Sequence, residues 1–241
     1  MTRSPRFLLL LGLLGAAGLA GCRREAPAET GYQQRPPSEG GTGKVYLGRE
    51  IAQPVDHGSA AWLDRPERDA TELPDRVVAA LDLRPTDVVA DVGAGTGYFT
   101  FRLAAQVPQG RVLAEDIDSA LVALIRHRAD SLGLRNVTPI RGTIENPELP
   151  PASADVVLIV DSYHEFSHPR EMMTAIARAL KPGGRVVLVE YRGEDPTLAI
   201  NPLHRMTQAQ IEREMTAVGL RLKASLDVLP QQHLLVFERA R

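Results

Sequence analysis

Residues 87–99 read DVVADVGAGTGYF, and this stretch decides the fold. Residues 87–92 are a short valine-rich run that predicts a strand. Glycines at 93, 95 and 97 predict a turn, and an apolar helical pattern then runs from about 97 to 107. A strand, a glycine turn and a helix in that order open an α/β ligand-binding unit. Gly93 and Gly95 let the backbone turn tightly and approach a ligand closely. Gly97 lets the start of the helix pack near it. A dinucleotide fingerprint needs G-x-G-x-x-G, which would put its third glycine at 98, where Tyr98 stands. A phosphate-binding loop needs G-K-[S/T], which is absent. The G-x-G-x-G spacing suits a ligand without phosphates. Its carboxylate tail would take the loop N–H groups, and its ammonium would take an acid such as Asp91.

Outward from this loop, β-branched runs alternate with helical patterns. Strands are expected at 87–92, 111–116, 137–141, 154–161, 185–191, 222–229 and 233–239. Helices are expected near 73–82, 97–107, 119–132, 169–180 and 207–218. Such alternation predicts a Rossmann-like, doubly wound α/β sheet of seven strands with helices on both faces. The run ADVVLIVD (154–161) is apolar almost throughout, as a central strand covered on both faces must be. Thr207 with Gln210 predicts a capping box, and Gly219 a stop. Only PQQ separates the last two strands, so the final strand is expected to be antiparallel.

A second acid is needed to close a ligand site. Strand 111–116 ends in Glu115 and Asp116, followed by Ile117 and Asp118. Asp116 lies 19 residues after Gly97, close to the spacing of roughly 20 at which a strand-end carboxylate takes ribose hydroxyls. Asp118 is placed to cap the following helix.

Asp91-x-Gly93-x-Gly95-x-Gly97 together with Asp116 resembles the class I S-adenosylmethionine (SAM) methyltransferases. The likeness spans about residues 45–241. ARALKPGGRVVLVEY (177–191) is similar to that family's helix, Lys-Pro-Gly-Gly turn and fifth strand. DSYHEF (161–166) resembles a subgroup with Asp-x-Tyr-His-x-Phe after the fourth strand, and 48–75 resembles the segment preceding its first strand. The subgroup is related in pattern to quinone and arsenite methyltransferases. Arsenite methylation needs cysteines, and Cys22 is the only one here. The resemblance implies SAM as cofactor, lying along Asp91, Gly93, Ala94, Gly95, Gly97, Asp116, Ile117 and Asp161. It also implies that RGTIENPELP (141–150) brings Thr143 and Ile144 to the adenine, although neither is the Asp or Asn that many relatives use there.

Methyl transfer is an in-line displacement in which the protein aligns the partners and excludes water. The end of the fourth strand opens at the switch point of such a sheet, which makes Asp161, Tyr163, His164 and Glu165 the catalytic candidates. His164 is the best base by intrinsic pKa. His164-Glu165-Phe166-Ser167-His168 also matches H-E-x-x-H, which leaves a zinc hydrolase as a remote alternative. The motif follows directly on a strand and is followed by Pro169, a context unlike a metal-binding helix, so no metal is expected. The Asn-Pro-Pro-aromatic signature of amide and adenine N-methylation is absent, since 161–164 reads Asp-Ser-Tyr-His. Trp62, Arg65 and Arg68 are placed for a lid, and His204 and Arg205 in NPLHRM (201–206) for acceptor contact.

The chain has 241 residues, 44% of them hydrophobic, and a net charge of −2. That supports one full domain and gives no basic excess for nucleic acid. Arg3 and Arg6 precede an apolar run at 7–20, too short for a membrane span and ending in small residues like an export signal. Leu19-Ala20-Gly21-Cys22 resembles the bacterial lipoprotein box, which implies lipidation at Cys22. The expected organisation is a signal peptide at 1–21, a flexible tether at 22–43, a helical lid segment at 44–84 and the SAM-binding domain at 85–241. The partners are a small-molecule acceptor and, through the lipid, a membrane. The resemblance places the protein in the cell envelope, on the outer membrane if the cell is Gram-negative; a mis-assigned start would instead leave it cytoplasmic. The exported location leaves open a non-catalytic envelope protein that kept a SAM- or nucleoside-binding fold.

Overall fold

The computed structural model describes residues 1–2, 31–54 and 60–240. The export signal and Cys22 lie outside the described residues, and no described helix is long and apolar enough to cross a membrane. Three strands, β1 (Tyr32–Gln34), β2 (Gly41–Tyr46) and β3 (Arg49–Ala52), form a small antiparallel sheet. Short helices α1 (Ala60–Leu63), α2 (Glu67–Thr71) and α3 (Pro74–Ala80) follow.

The alternating region folds as β4 (Val88–Val92), α4 (Tyr98–Gln106), β5 (Arg111–Asp116), α5 (Ser119–Ser131), β6 (Val137–Arg141), β7 (Ala154–Val160), α6 (Pro169–Ala179), β8 (Leu180–Tyr191), α7 (Gln208–Thr216), β9 (Leu220–Leu226) and β10 (Gln232–Arg239). The sheet order is β6-β5-β4-β7-β8-β10-β9. Strands β4 to β8 pair in parallel, and β10 runs antiparallel to both its neighbours. This is the doubly wound sheet with an inverted last strand that the alternation predicts. From β4 the chain winds first to one side and then to the other, so the carboxyl ends of β4, β5 and β7 frame a crevice.

Strand β7 shows why its sequence is apolar throughout. Val156 and Leu158 face a layer with Val77 and Val78 of α3 and Phe99 and Leu103 of α4. Val157 and Ile159 face the opposite layer with Met173 and Ile176 of α6 and Ile211 and Met215 of α7. Side chains alternate across a strand, so covering both faces leaves no place for a polar residue. Each such side chain stabilises the fold by about 1.5–3 kcal/mol when fully buried.

The structure corrects the expected boundaries at the amino-terminal side. Part of the 22–43 tether is strand β1 and the start of β2, and the 44–84 lid segment begins with strand rather than helix. These strands bury Val45, Tyr46, Ile51 and Ala52, but they also close around a polar hub. Glu50 accepts hydrogen bonds from Arg35 Nη2 (2.8 Å), Ser38 Oγ (2.8 Å), the Ser38 N–H (3.1 Å) and the Gly43 N–H (2.9 Å). The Arg35 bond, the Ser38 bonds and the Gly43 bond hold its carboxyl down at about 2. Strand β8 also begins earlier than expected: its pairing with β7 starts at Leu180, is interrupted, and resumes at Arg185. Strand β9 ends at Leu226, not 229. Thr207 Oγ1 caps α7 at the Gln210 N–H, but the Gln210 side chain goes to the Leu47 carbonyl and to Glu214 rather than closing a capping box.

Arg49 joins the small sheet to the domain. Its guanidinium grips Glu214 of α7 at 2.7 and 2.9 Å and donates to the His164 carbonyl at 2.9 Å. Glu214 is wholly buried and also accepts from Tyr163 Oη at 2.7 Å. Arg49→Ala would leave that carboxylate buried without its cation, and we expect a loss of about 3–5 kcal/mol in urea unfolding. Adding Glu214→Gln should restore part of it. A change within about 0.5 kcal/mol, the scale of an ordinary surface substitution, would show that the pair does not anchor the sheet.

Candidate active site

One cavity of about 560 Å³ lies over the carboxyl ends of β4, β5, β7 and β8. It is lined at one end by the glycine turn and Asp116, and at the other by Asp161, Ser162, His164 and His204. This volume falls in the range of small-molecule sites.

The glycine turn has left-handed backbone at Gly93, Gly95 and Gly97. At Gly93 (φ +72°) a Cβ would also stand 2.7 Å from Ser162 Oγ, so glycine is what lets the loop after β7 pack against the turn. Asp91 is buried below it, and Thr100 Oγ1 donates to it at 2.6 Å. Burial raises its carboxyl to about 6 despite the Thr100 bond. Asp116 is held by two backbone donors, the Gly95 N–H and the Asp118 N–H, both at 2.9 Å. Its carboxylate is therefore fixed in orientation at the cavity wall. Asp118 Oδ1 accepts from the Ala120 N–H and caps α5, as expected.

Three features at this end differ from the sequence reading. The Gly93 and Gly95 N–H groups, expected to meet a ligand carboxylate, point at the side chains of Glu115 (3.4 Å) and Asp116 (2.9 Å). Glu115 itself was not anticipated as a site residue. It is buried, its Oε1 has no hydrogen-bond partner among the described residues, and burial followed by the Asp116 charge raises its carboxyl well above the usual range. Gly142 stands opposite it, and a Cβ there would lie 1.8 Å from Glu115 Oε1 and displace the carboxyl. Thr143 does not line the cavity: its hydroxyl closes the following turn by accepting from the Asn146 N–H at 3.0 Å. Ile144 and Ile117 do line it, alongside Ala94.

At the other end, Asp161 follows β7 with φ +46°, a conformation that costs a non-glycine residue about 1–3 kcal/mol. Gln232 Nε2 donates to its Oδ2 at 2.6 Å, while Oδ1 is buried without a hydrogen-bond partner among the described residues. Burial, then the charges of Glu190 and Glu72, push its carboxyl well up. Tyr163 lies outside the cavity; it is core, bonded to Glu214. His164 does reach the cavity, with Nδ1 2.6 Å from Glu190 Oε2 and Nε2 3.0 Å from His204 Nδ1. Burial alone would lower its pKa, but the Glu190 carboxylate outweighs that, Glu165 adds to it, and the ring is pushed up to about 10. It therefore carries a proton near neutrality and is not the free base its type suggests. Glu190 was missed, yet a lone acid in the run VVLVEY of a buried strand calls for a partner of this kind.

His168 does not join His164. It stands at the start of α6, 3.7 Å from Glu145 and 3.1 Å from Ser167 Oγ, so the H-E-x-x-H spacing forms no metal face. His204 lines the cavity, and Arg205 does not: its guanidinium donates to the Asp195 carbonyl. The lid residues are tied down. Arg68 pairs with Glu72 at 2.6 Å and stacks on Tyr98, and Arg65 stacks on the Trp62 ring at 3.8 Å. Asp64 is held by Thr96 and Arg128, which sets Leu63 over Gly95.

Residues 89–184 match the family model described as "Methyltransferase domain". That segment runs from β4 to the start of β8 and holds the glycine turn, Asp116 and the Asp161–Glu165 loop. The chain is 30% identical to an uncharacterized methyltransferase, YcgJ, of Bacillus subtilis over 57% of this chain and 55% of that protein. It is 32% identical to the ubiquinone/menaquinone biosynthesis C-methyltransferase UbiE of Ectopseudomonas mendocina over 48% of this chain and 47% of that one. The chain thus spans about half the length of these relatives. A SAM-dependent methyltransferase of Aquifex aeolicus superposes with a TM-score of 0.71 at 22% identity, covering 76% of this chain and 98% of that one. At that identity the likeness is one of fold, and it agrees with the Rossmann-like sheet described above.

Asp91 titrates at about 6 and must be ionised to hold an ammonium. An acid is charged above its pKa, so affinity for SAM should hold at pH 7.5 and fall about tenfold by pH 5, in proportion to the ionised fraction. Calorimetric titration across that range checks this. Asp91→Asn should bind weakly with a flat pH profile, and an unchanged affinity at pH 5 would remove Asp91 from the ligand.

Proposed function

We propose that this chain is a SAM-dependent methyltransferase that transfers a methyl group to a small-molecule acceptor, acting as a lipid-anchored protein of the bacterial cell envelope. The observation that carries the enzymatic reading is the single cavity joining a preset ribose-type carboxylate, Asp116, to the Asp161–His204 end. The methyltransferase domain matched over 89–184 supports it. The fit of the cofactor rests on the chain's own groups. Asp116 presents a fixed carboxylate for a diol, Ile144 and Ile117 offer apolar surface for a base, and Asp91 offers a charge for an ammonium.

SAM supplies a methyl on a sulfonium sulfur; transfer forms the bond from carbon to the acceptor and breaks the carbon–sulfur bond, whose electron pair stays on sulfur. Sulfur is already a good leaving group, so the protein's contribution is alignment and exclusion of water. Leu63 packs over Gly95, Trp62 lines the cavity, and Phe166, Met172 and Tyr191 add apolar lining. His164, held at Nδ1 by Glu190 and at Nε2 by His204, shapes the acceptor end. Glu165 and His204 stand beside it at that end of the cavity.

The envelope location rests on the sequence of 19–22 and its resemblance to the lipoprotein box. The same feature favours a second reading, a non-catalytic envelope protein that binds SAM or a nucleoside. Metabolic labelling with palmitate should mark the protein, and Cys22→Ser should abolish the label; label retained in the variant would remove the anchor.

Calorimetric titration of SAM and S-adenosylhomocysteine into the full chain carrying Cys22→Ser tests the cofactor. We expect both to bind, and Asp116→Ala to weaken both at least tenfold, a loss of about 1.4 kcal/mol or more. A folded protein that binds neither compound would refute the enzyme.

A further inference from the structure

Three groups at the acceptor end form a triangle. His164 Nε2 and His204 Nδ1 are 3.0 Å apart, His204 Nδ1 and Glu165 Oε1 are 3.5 Å apart, and His164 Nε2 and Glu165 Oε1 are 3.7 Å apart. In a tetrahedral zinc site with bonds of about 2.0–2.1 Å, neighbouring ligand atoms sit about 3.3 Å apart. The three separations bracket that edge within a few tenths of an ångström. Among the described residues this is the one group of three such side chains with ligand atoms mutually so close.

We propose that His164, Glu165 and His204 bind a divalent transition-metal ion of the zinc type, with its fourth position open to the acceptor end of the cavity. Two imidazoles and one carboxylate with an open position are a donor set of catalytic zinc sites. Behind the triangle, Glu190 holds His164 Nδ1 at 2.6 Å. A carboxylate on the far nitrogen fixes the tautomer that leaves Nε2 as the ligand, and raises its basicity. The charge around the triangle also suits a cation. Glu190 is wholly buried, while the neighbouring Arg49 is neutralised by its two bonds to Glu214. All three ligands line the cavity, so an ion there would meet whatever occupies its acceptor end.

The elements explain how the sequence hides this site. His164 and Glu165 lie in a one-turn 3-10 segment, Tyr163–Glu165, and His204 in another, Pro202–His204, set 40 residues further on. The third ligand is thus not the histidine of the H-E-x-x-H run but one delivered by the loop after β8.

What the ion does for an acceptor rests on the methyltransferase reading, but its presence does not. The test is titration of Co2+ into the chelator-treated full chain at pH 7.5, read by visible ligand-field absorption and by metal content, with Zn2+ as competitor. One Co2+ per chain is expected, displaced by one Zn2+. His204→Ala and Glu165→Gln should each weaken binding at least tenfold and change the spectrum. Glu190→Gln should weaken it about 10–100-fold while leaving the ligand set intact. Asp116→Ala should lose SAM binding and keep the metal, which separates failure of the cofactor reading from failure of this one. Equal Co2+ binding and equal spectra in the wild type, His204→Ala and Glu165→Gln would mean adventitious metal only and would overturn the proposal, as would no binding at all.

Discussion

Carboxylates gathered at the carboxyl ends of parallel strands, out of contact with bulk water, are the constraint around which this protein is built. Asp91 lies next to the end of β4, Glu115 and Asp116 end β5, Asp161 follows β7 and Glu190 lies near the end of β8. Parallel pairing brings these ends together, and the helices on both faces keep solvent away. Burial strips these groups of hydration and their like charges repel, which is why Asp91, Glu115 and Asp161 all titrate high. The arrangement costs stability and is offset by fixed donors. The Gly95 and Asp118 N–H groups serve Asp116, Thr100 serves Asp91, and Gln232 serves Asp161. Glu115 Oε1 and Asp161 Oδ1, which have no hydrogen-bond partner among the described residues, belong to side chains that border the cavity and leave it suited to cationic or hydrogen-bond-donating ligands.

The glycine turn and the loop after β7 depend on each other. Gly93 has no Cβ, so Ser162 can close against it. The strained Asp161 backbone is held by its N–H bond to the Val189 carbonyl and by Gln232 from the antiparallel strand. The inverted strand β10 therefore contributes directly to the site. The small amino-terminal sheet contributes as well. Arg49 reaches across to the His164 carbonyl and to Glu214, and so fixes the segment that carries His164 and Glu165.

Much of the domain is legible in the sequence because its signals are local. The period-2 and period-3.6 patterns between 87 and 239 mark each strand and helix of the main sheet to within a few residues, and PQQ alone requires the last strand to turn back. The G-x-G-x-G turn and the spacing to Asp116 mark the binding edge. Asp118 announces itself as a cap by its position before a helix. The sheet at 32–52 is not legible, because its strands are short and glycine-rich and close around a buried acid, Glu50, that no periodicity reveals.

The sequence by itself determined the sheet, the turn and the strand-end acids, since these follow from patterns within about twenty residues. Only the tertiary structure decided the chemistry of the side chains at the acceptor end. Tyr163 and His164 are neighbours in sequence, yet one is buried against Glu214 as core and the other faces the cavity. His164 is by type a base near neutrality; Glu190, on another strand, makes it a cation. His168 completes a motif on paper, while His204, 40 residues away, completes the triangle in space. The reason is physical: pKa values and ligand geometry depend on groups a few ångströms away, and those groups come from strands and loops that the fold alone brings together.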